Sequence, residues 1–202
     1  MLVVGALHTG AGRAALAYCE LYDPGSRTWT PAGSLAVPRT GHQATPRRRD
    51  RPGDRRRPGD TPVGARFSTA CAASVEQYSP GTDSWAACPD LPVAGRGSHR
   101  AVALRTGRVL VFGGTGRRDP AASGLRGAVL YDPAARTWTA TGGLATGRSE
   151  TVAVELADGR VLTTGGLVRS GPATPDGTDD VTATTELTRP DPHAPPRRVH
   201  PR

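Results

Sequence analysis

The chain has 202 residues, with 26 Gly, 19 Pro, a single Met and a formal net charge of +8. That length allows one domain, or two small ones, with room for a core, while the glycine and proline content excludes a protein built from long helices and favours short strands joined by turns. The charge would ordinarily suggest nucleic acid as a partner, but seven arginines fall within residues 47–57 and three more are Arg197, Arg198 and Arg202, with no aromatic residue interleaved to stack on bases, so nucleic acid is not expected.

Taken in chain order, residues 1–45 open with a short β-rich run, Leu2-Val3-Val4-Gly5-Ala6, and contain a hairpin from Glu20 to Trp29. In this hairpin Tyr22 ends one strand, Asp23-Pro24-Gly25 makes the turn, and Thr28-Trp29 opens the next. Arg39-Thr40-Gly41-His42 follows. Residues 46–60 are the arginine-rich stretch, with almost no β-forming residues. Residues 61–93 carry a second hairpin, with Tyr78 and Trp85.

Residues 94–146 form the most complete unit. Arg96 and His99 lead into a strand that runs to Leu104, and Gly107 to Phe112 is an apolar run closed by the pair Gly113-Gly114. A connection from Thr115 to Gly127 then leads to a third hairpin, with Tyr131 and Trp138. Residues 147–188 repeat this pattern in part. Arg148-Ser149-Glu150 precedes a strand to Leu156, Gly159 to Thr164 is closed by Gly165-Gly166, and a connection from Leu167 to Ala183 leads to Thr185-Glu186-Leu187-Thr188. Residues 189–202 are a Pro/Arg tail, expected to be poorly ordered, as are residues 47–60.

The Tyr-to-Trp spacing is seven in all three hairpins, and the hairpins sit 56 and 53 residues apart. The two glycine pairs are 52 residues apart. A four-stranded unit of this kind cannot bury its own apolar face and must stack on copies of itself. Tyr22, Trp29, Tyr78, Trp85, Tyr131 and Trp138 are therefore read as packing residues, and Gly113, Gly114, Gly165 and Gly166 as sites where the backbone turns in a conformation that a Cβ opposes. No helix follows the glycine pairs, so they do not form a phosphate-cradling loop.

A glycine pair ending one strand, followed by a spaced Tyr and Trp at a period near fifty, resembles the kelch repeat. The Tyr-Asp-Pro and Asp-Gly-Arg-Val-Leu variant is similar to bacterial kelch and galactose-oxidase-like propellers. The resemblance implies an all-β fold, a kelch-type β-propeller of which this chain holds about three to four four-stranded units, where complete propellers have roughly four to eight blades. On that pattern the chain begins inside a blade and ends before a last Trp, with Thr188 standing where a fourth Tyr is expected.

The pattern also requires a glycine-ended strand between Ala44 and Thr61. Two readings of the arginine-rich stretch stay open: a basic insertion loop, or a local shift of reading frame. One permitted back-translation of residues 48–60, read from its second nucleotide, spells Asp-Gly-Thr-Val-Leu-Val-Thr-Gly-Gly-Asp-Pro-Val. Its glycine pair begins 33 residues after Tyr22, against 35 from Tyr78 to Gly113 and 34 from Tyr131 to Gly165.

The resemblance implies a non-catalytic scaffold that binds a protein or a polysaccharide through its surface loops, the connections 115–127 and 167–183 being the candidate contacts. Arg39, Arg96 and Arg148 recur at equivalent places, as do His42 and His99. They are the binding candidates: each arginine either hydrogen-bonds sheet backbone or converges on an anion. The alternative is the remnant of a copper-radical oxidase, which needs two tyrosines, two histidines and a cysteine on one metal. Tyr18 and Cys19 are neighbours, but the other tyrosines belong to the repeat and no His pair has ligand spacing.

No enzyme motif, metal site or cofactor is expected. Cys19, Cys71 and Cys88 lack metal spacing, and both a Cys71–Cys88 disulfide and buried free thiols stay open. No apolar run approaches the roughly 20 residues of a membrane span. The first residues lack the basic and apolar regions of a signal peptide, which leaves export open should the natural start lie upstream.

Overall fold

The computed structural model describes residues 1–8, 14–45, 61–67, 73–93, 95–116, 123–169 and 178–190. Within them the chain is all-β and is arranged in several small antiparallel sheets. Sheet 1 holds β1 (Leu2–His8), β2 (Ala14–Asp23) and β3 (Thr28–Ala32). Sheet 2 holds β4 (Thr40–Gln43), β5 (Thr61–Phe67), β6 (Val75–Ser79) and β7 (Ser84–Cys88). After the short β8 (Arg96–Gly97), sheet 3 is made of β9 (Arg100–Ala103), β10 (Val109–Phe112), β12 (Ala128–Asp132) and β13 (Thr137–Thr141). Sheet 4 is made of β14 (Val152–Glu155), β15 (Val161–Thr164) and β18 (Thr185–Thr188). In every sheet the strands lie side by side in chain order.

The last hairpin of sheets 1, 2 and 3 is built alike. Tyr22 pairs with Trp29, Tyr78 with Trp85 and Tyr131 with Trp138 across the two strands. Their ring centroids are 4.9, 5.1 and 4.7 Å apart, within the range of favourable tilted aromatic pairs. The turns use a local polar device: the Asp23 carboxylate accepts the Gly25 amide at 2.9 Å, and the Asp132 carboxylate accepts the Ala134 amide at 2.9 Å. The residue two before each Trp, Arg27, Asp83 or Arg136, has a positive φ of 57°, 46° or 56°.

Alternation along the strands divides the side chains between two faces. In β10, Val109 and Val111 pack with Ala101, Val129 and Tyr131 against Val75, Cys88 and Leu91 from sheet 2 and its exit. Leu110 and Phe112 point the other way, packing with Val102, Ala128 and Leu130 against Leu144, Ala153 and Val161. Sheet 3 is thus buried on both faces, which is why its second strand, Val-Leu-Val-Phe, is apolar at every position. A third core, of Val4, Cys19, Ala32 and Leu35 with Trp85 against it, joins sheets 1 and 2. Full burial of each large apolar side chain contributes about 1.5–3 kcal/mol, so the sheets are held mainly by their neighbours.

The same polar tie crosses two of these junctions. Trp85 Nε1 donates to the Gly33 carbonyl at 2.7 Å, and Trp138 Nε1 donates to the Pro89 carbonyl at 2.8 Å, each acceptor being the residue that follows the last strand of the preceding sheet. At the ends of the stack the faces are open. Trp29 is 46% exposed, and Val152, Val154 and Leu187 of sheet 4 are exposed, whereas Val102 and Leu130, the sheet 3 counterparts of Val154 and Leu187, lie in the core.

The second sheet spans the arginine-rich stretch. Thr40–Gln43, at the end of the segment 1–45, pairs with Thr61–Phe67, which in turn pairs with Val75–Tyr78. Thr61 therefore stands opposite Tyr78 as Val109 stands opposite Tyr131, and Thr61–Phe67 takes the place of the expected glycine-ended strand without a glycine pair. Residues 46–60 lie outside the described residues. The frame-shift reading predicts that the nucleotides encoding residues 48–60, read one nucleotide on, spell the Val-Leu-Val-Thr-Gly-Gly strand. Sequencing the locus decides it, and codons spelling other residues in that frame would contradict it. Of the tail only Arg189 and Pro190 are described, and the Pro190 carbonyl accepts the Thr141 hydroxyl at 2.8 Å.

Candidate functional site

The recurring arginines end up inside the protein. Arg39 and Arg148 are fully buried and Arg96 is 3% exposed, a placement that charged side chains rarely adopt without partners. Each lies just before the first strand of its sheet and turns inward to bind that sheet's own backbone. Arg39 Nη1 donates to the Ser74 carbonyl at 3.0 Å. Arg96 Nη1 donates to the carbonyls of Gly113 (3.2 Å) and Gly127 (2.8 Å). Arg148 Nη1 donates to those of Gly165 (3.1 Å) and Thr184 (3.0 Å). Ser74, Gly127 and Thr184 each stand four residues before Tyr78, Tyr131 or Thr188, so one guanidinium nitrogen performs the same task in three sheets.

Two of the three arginines also meet a carboxylate. Arg39 Nη2 is ion-paired with Glu76 and Arg148 Nη2 with Glu186. Glu76 accepts the amides of Ala36 (2.9 Å) and Val37 (3.3 Å), and Glu186 accepts those of Ala145 (2.6 Å) and Thr146 (3.0 Å). Burial pushes the Glu186 carboxyl up, but the two amides and the Arg148 charge outweigh it and hold it below the usual carboxylate range. Sequence reasoning missed both glutamates. A signal was present: Glu20, Glu76 and Glu186 each stand two residues before Tyr22, Tyr78 or Thr188.

The glycine pairs are the turning points that the repeat requires. Gly113 and Gly114 have φ of 66° and 89°, Gly165 and Gly166 of 63° and 106°. A Cβ on Gly114 would lie 2.3 Å from the Gly97 carbonyl oxygen, and one on Gly166 2.5 Å from the Ser149 oxygen. These contacts bring the exit of the second strand against the arginine segment. Just beyond each pair the connections 115–127 and 167–183 begin as short ladders. β11 (Thr115–Gly116) pairs with β8, and β16 (Leu167–Arg169) with β17 (Asp180–Val181). Residues 117–122 and 170–177 at the tips lie outside the described residues.

The two repeat-equivalent histidines differ in depth. His42 is partly buried, and its proton affinity is lowered by burial and by Arg39. His99 is 2% exposed, and neither ring nitrogen makes a well-formed hydrogen bond. Burial, helped by the charge of Arg96, pushes its pKa down to about 4, although the Arg96 carbonyl favours the protonated form. Its ordinary value of 6.5 applies once the chain unfolds. The unfolded state therefore takes up a proton below pH 6.5 that the folded state refuses until about pH 4, and stability falls as the pH drops through that window. The expected loss between pH 7 and pH 5 is about 2 kcal/mol from this residue alone. Urea unfolding at the two pH values checks it, with a His99→Gln variant expected to lose most of the difference.

The remaining candidates separate on the strands. Tyr18 is exposed whereas Cys19 is buried, since neighbours on a strand face opposite sides. Cys88 is a buried free thiol, as is Cys19, and Cys71 lies outside the described residues. Among the described residues no group of three His, Cys, Asp or Glu side chains is placed to hold a metal ion. No helix among them is long and apolar enough to cross a membrane. The cleft between sheets 3 and 4, lined by Leu110, Phe112, Leu144 and Thr163 among others, has room for about one water. The chain matches no protein-family model and no curated protein.

Proposed function

We propose that the sheets are units of a kelch-type β-propeller that serves as a non-catalytic scaffold for binding a protein or a polysaccharide. The observation that carries this reading is the repetition of contacts from sheet to sheet: the same Trp-to-carbonyl bond across two junctions, the same two carbonyl positions held by Arg96 and Arg148 in their own sheets, and the division of sheet 3 between two cores shared with its neighbours. Such a stack grows by adding units. Its open faces, with Trp29 at one end and Val152, Val154 and Leu187 at the other, suit further units of the same kind. The recurring tyrosines, tryptophans and the Arg39 and Arg148 ion pairs hold the sheets together, which leaves the connections 115–127 and 167–183 as the surfaces free to vary with a ligand.

The test is to present the purified chain to a panel of polysaccharides and folded proteins and measure binding by interferometry. Saturable binding is expected, and it should be lost when both connections are replaced by short Gly/Ser turns while the far-ultraviolet circular dichroism is unchanged. The reading fails if no class of ligand binds, or if the shortened variant binds equally well.

A further inference from the structure

Sheet 3 keeps the arginine of the repeat but lacks the groups that answer it. Counting back from Tyr131, the place of Glu76 and Glu186 is taken by Val129, which packs in the apolar core between sheets 2 and 3. The place of Thr184, whose hydroxyl accepts Arg148 Nη2 at 3.0 Å, is taken by Gly127. The loop has changed with them: the step from leucine to arginine is four residues in Leu35–Arg39 and Leu144–Arg148 but five in Leu91–Arg96. Two neighbouring amides bind the glutamate in the other two sheets, and here there is no glutamate for them to bind.

Arg96 is therefore a buried cation whose hydrogen bonds, among the described residues, run from Nη1 to two carbonyls and no further. Its Nε is buried without a partner. Carbonyl dipoles do not neutralise a full charge, and a desolvated guanidinium without a counter-ion is costly. The geometry leaves a way in. Gly127 is exposed, and Arg96 Nη2 lies 3.7 Å from the point where a Cβ on Gly127 would be, so no side chain of that residue covers the nitrogen. Close by, His99 is buried without a well-formed hydrogen bond and adds no negative charge.

We infer that Arg96 is a receptor for a carboxylate group supplied from outside the chain, bound at Nη2 beside Gly127 where the neighbouring sheets place an internal glutamate. A guanidinium edge with a free N–H suits a planar carboxylate better than a spherical anion. Val129 stands where the other sheets carry the glutamate and packs in the apolar core, so the class of ligand is a carboxylate that reaches Nη2 from the side of Gly127. This goes beyond the scaffold reading and stands independently of it, since it depends only on the surroundings of Arg96.

The test uses acetate as the probe on the full chain at constant ionic strength, with chloride as the comparator. Two readouts are followed: the thermal midpoint, and the Nε–Hε nuclear magnetic resonance signal of Arg96. Saturable stabilisation by acetate, with a matching shift of the Arg96 signal and no such response to chloride, is expected. Arg96→Met should weaken the acetate response at least about tenfold. Val129→Glu, which supplies the carboxylate within the chain, should also abolish it. Should Arg96→Met fail to fold, the wild-type resonance and the Val129→Glu variant decide. An acetate response equal to that of chloride, an unmoved Arg96 signal, or an undiminished response in Val129→Glu would overturn the inference.

Discussion

Arg39→Met should cost about 3–5 kcal/mol of stability, whereas Arg96→Met should cost only about 1–2 kcal/mol. The difference follows from what each arginine leaves behind. Arg39 is fully buried and ion-paired with Glu76, which is itself 3% exposed. Removing the cation strands a carboxylate in the core with only the Ala36 and Val37 amides to hold it. At Arg96 the same change strands two carbonyls, of Gly113 and Gly127, but no charge, and it relieves the burial of the guanidinium, which already disfavours its charged form. Urea unfolding of the two variants measures the contrast. Equal losses would show that the ion pair adds nothing to the backbone contacts shared by both arginines.

Gly114→Ala should be destabilising by about 3 kcal/mol or more, combining strain at a positive φ with overpacking. At φ +89° an L residue is already disfavoured, and the new Cβ would sit 2.3 Å from the Gly97 oxygen and 2.9 Å from His99 Cβ. Gly97 pairs with Thr115 in the small β8–β11 ladder, so the backbone can give way only by opening that ladder. Gly142→Ala is the control. A Cβ there meets nothing within 4 Å, and a change within about 0.5 kcal/mol is expected. Thermal unfolding of both variants compares them directly, and similar midpoints would contradict the steric account.

The parts of this fold legible in the sequence are those where one residue type serves one local role. The Tyr and Trp of each hairpin sit seven residues apart because they are cross-strand partners around a short turn. The glycine pairs announce positive φ because other residues adopt it only under strain. The run Val109–Phe112 reads as a strand because it is apolar throughout and closed by a glycine pair, whereas its burial on both faces shows only in the packing.

What escaped the sequence depends on contacts between distant residues. The arginines were visible as a recurrence, but their inward direction was not, since Arg39 meets Glu76 across 37 residues and Arg148 meets Glu186 across 38. The strand Thr61–Phe67 contains Pro62 and Gly64, both poor strand formers, and it is defined by the strands on either side rather than by its own propensity. The grouping of Thr40–Gln43 with sheet 2 likewise depends on a pairing that crosses the arginine-rich stretch. The absence of a glutamate from sheet 3 became meaningful only once the other two were seen in place.

In the proposed scaffold the repeating residues hold the sheets together and perform no chemistry. Metal analysis of the purified full chain, equilibrated with Cu(II), dialysed and assayed for peroxide production from primary alcohols, tests it most directly. Substoichiometric copper and no peroxide are expected of a scaffold. One copper per chain together with alcohol oxidation would contradict it and favour a copper-radical oxidase.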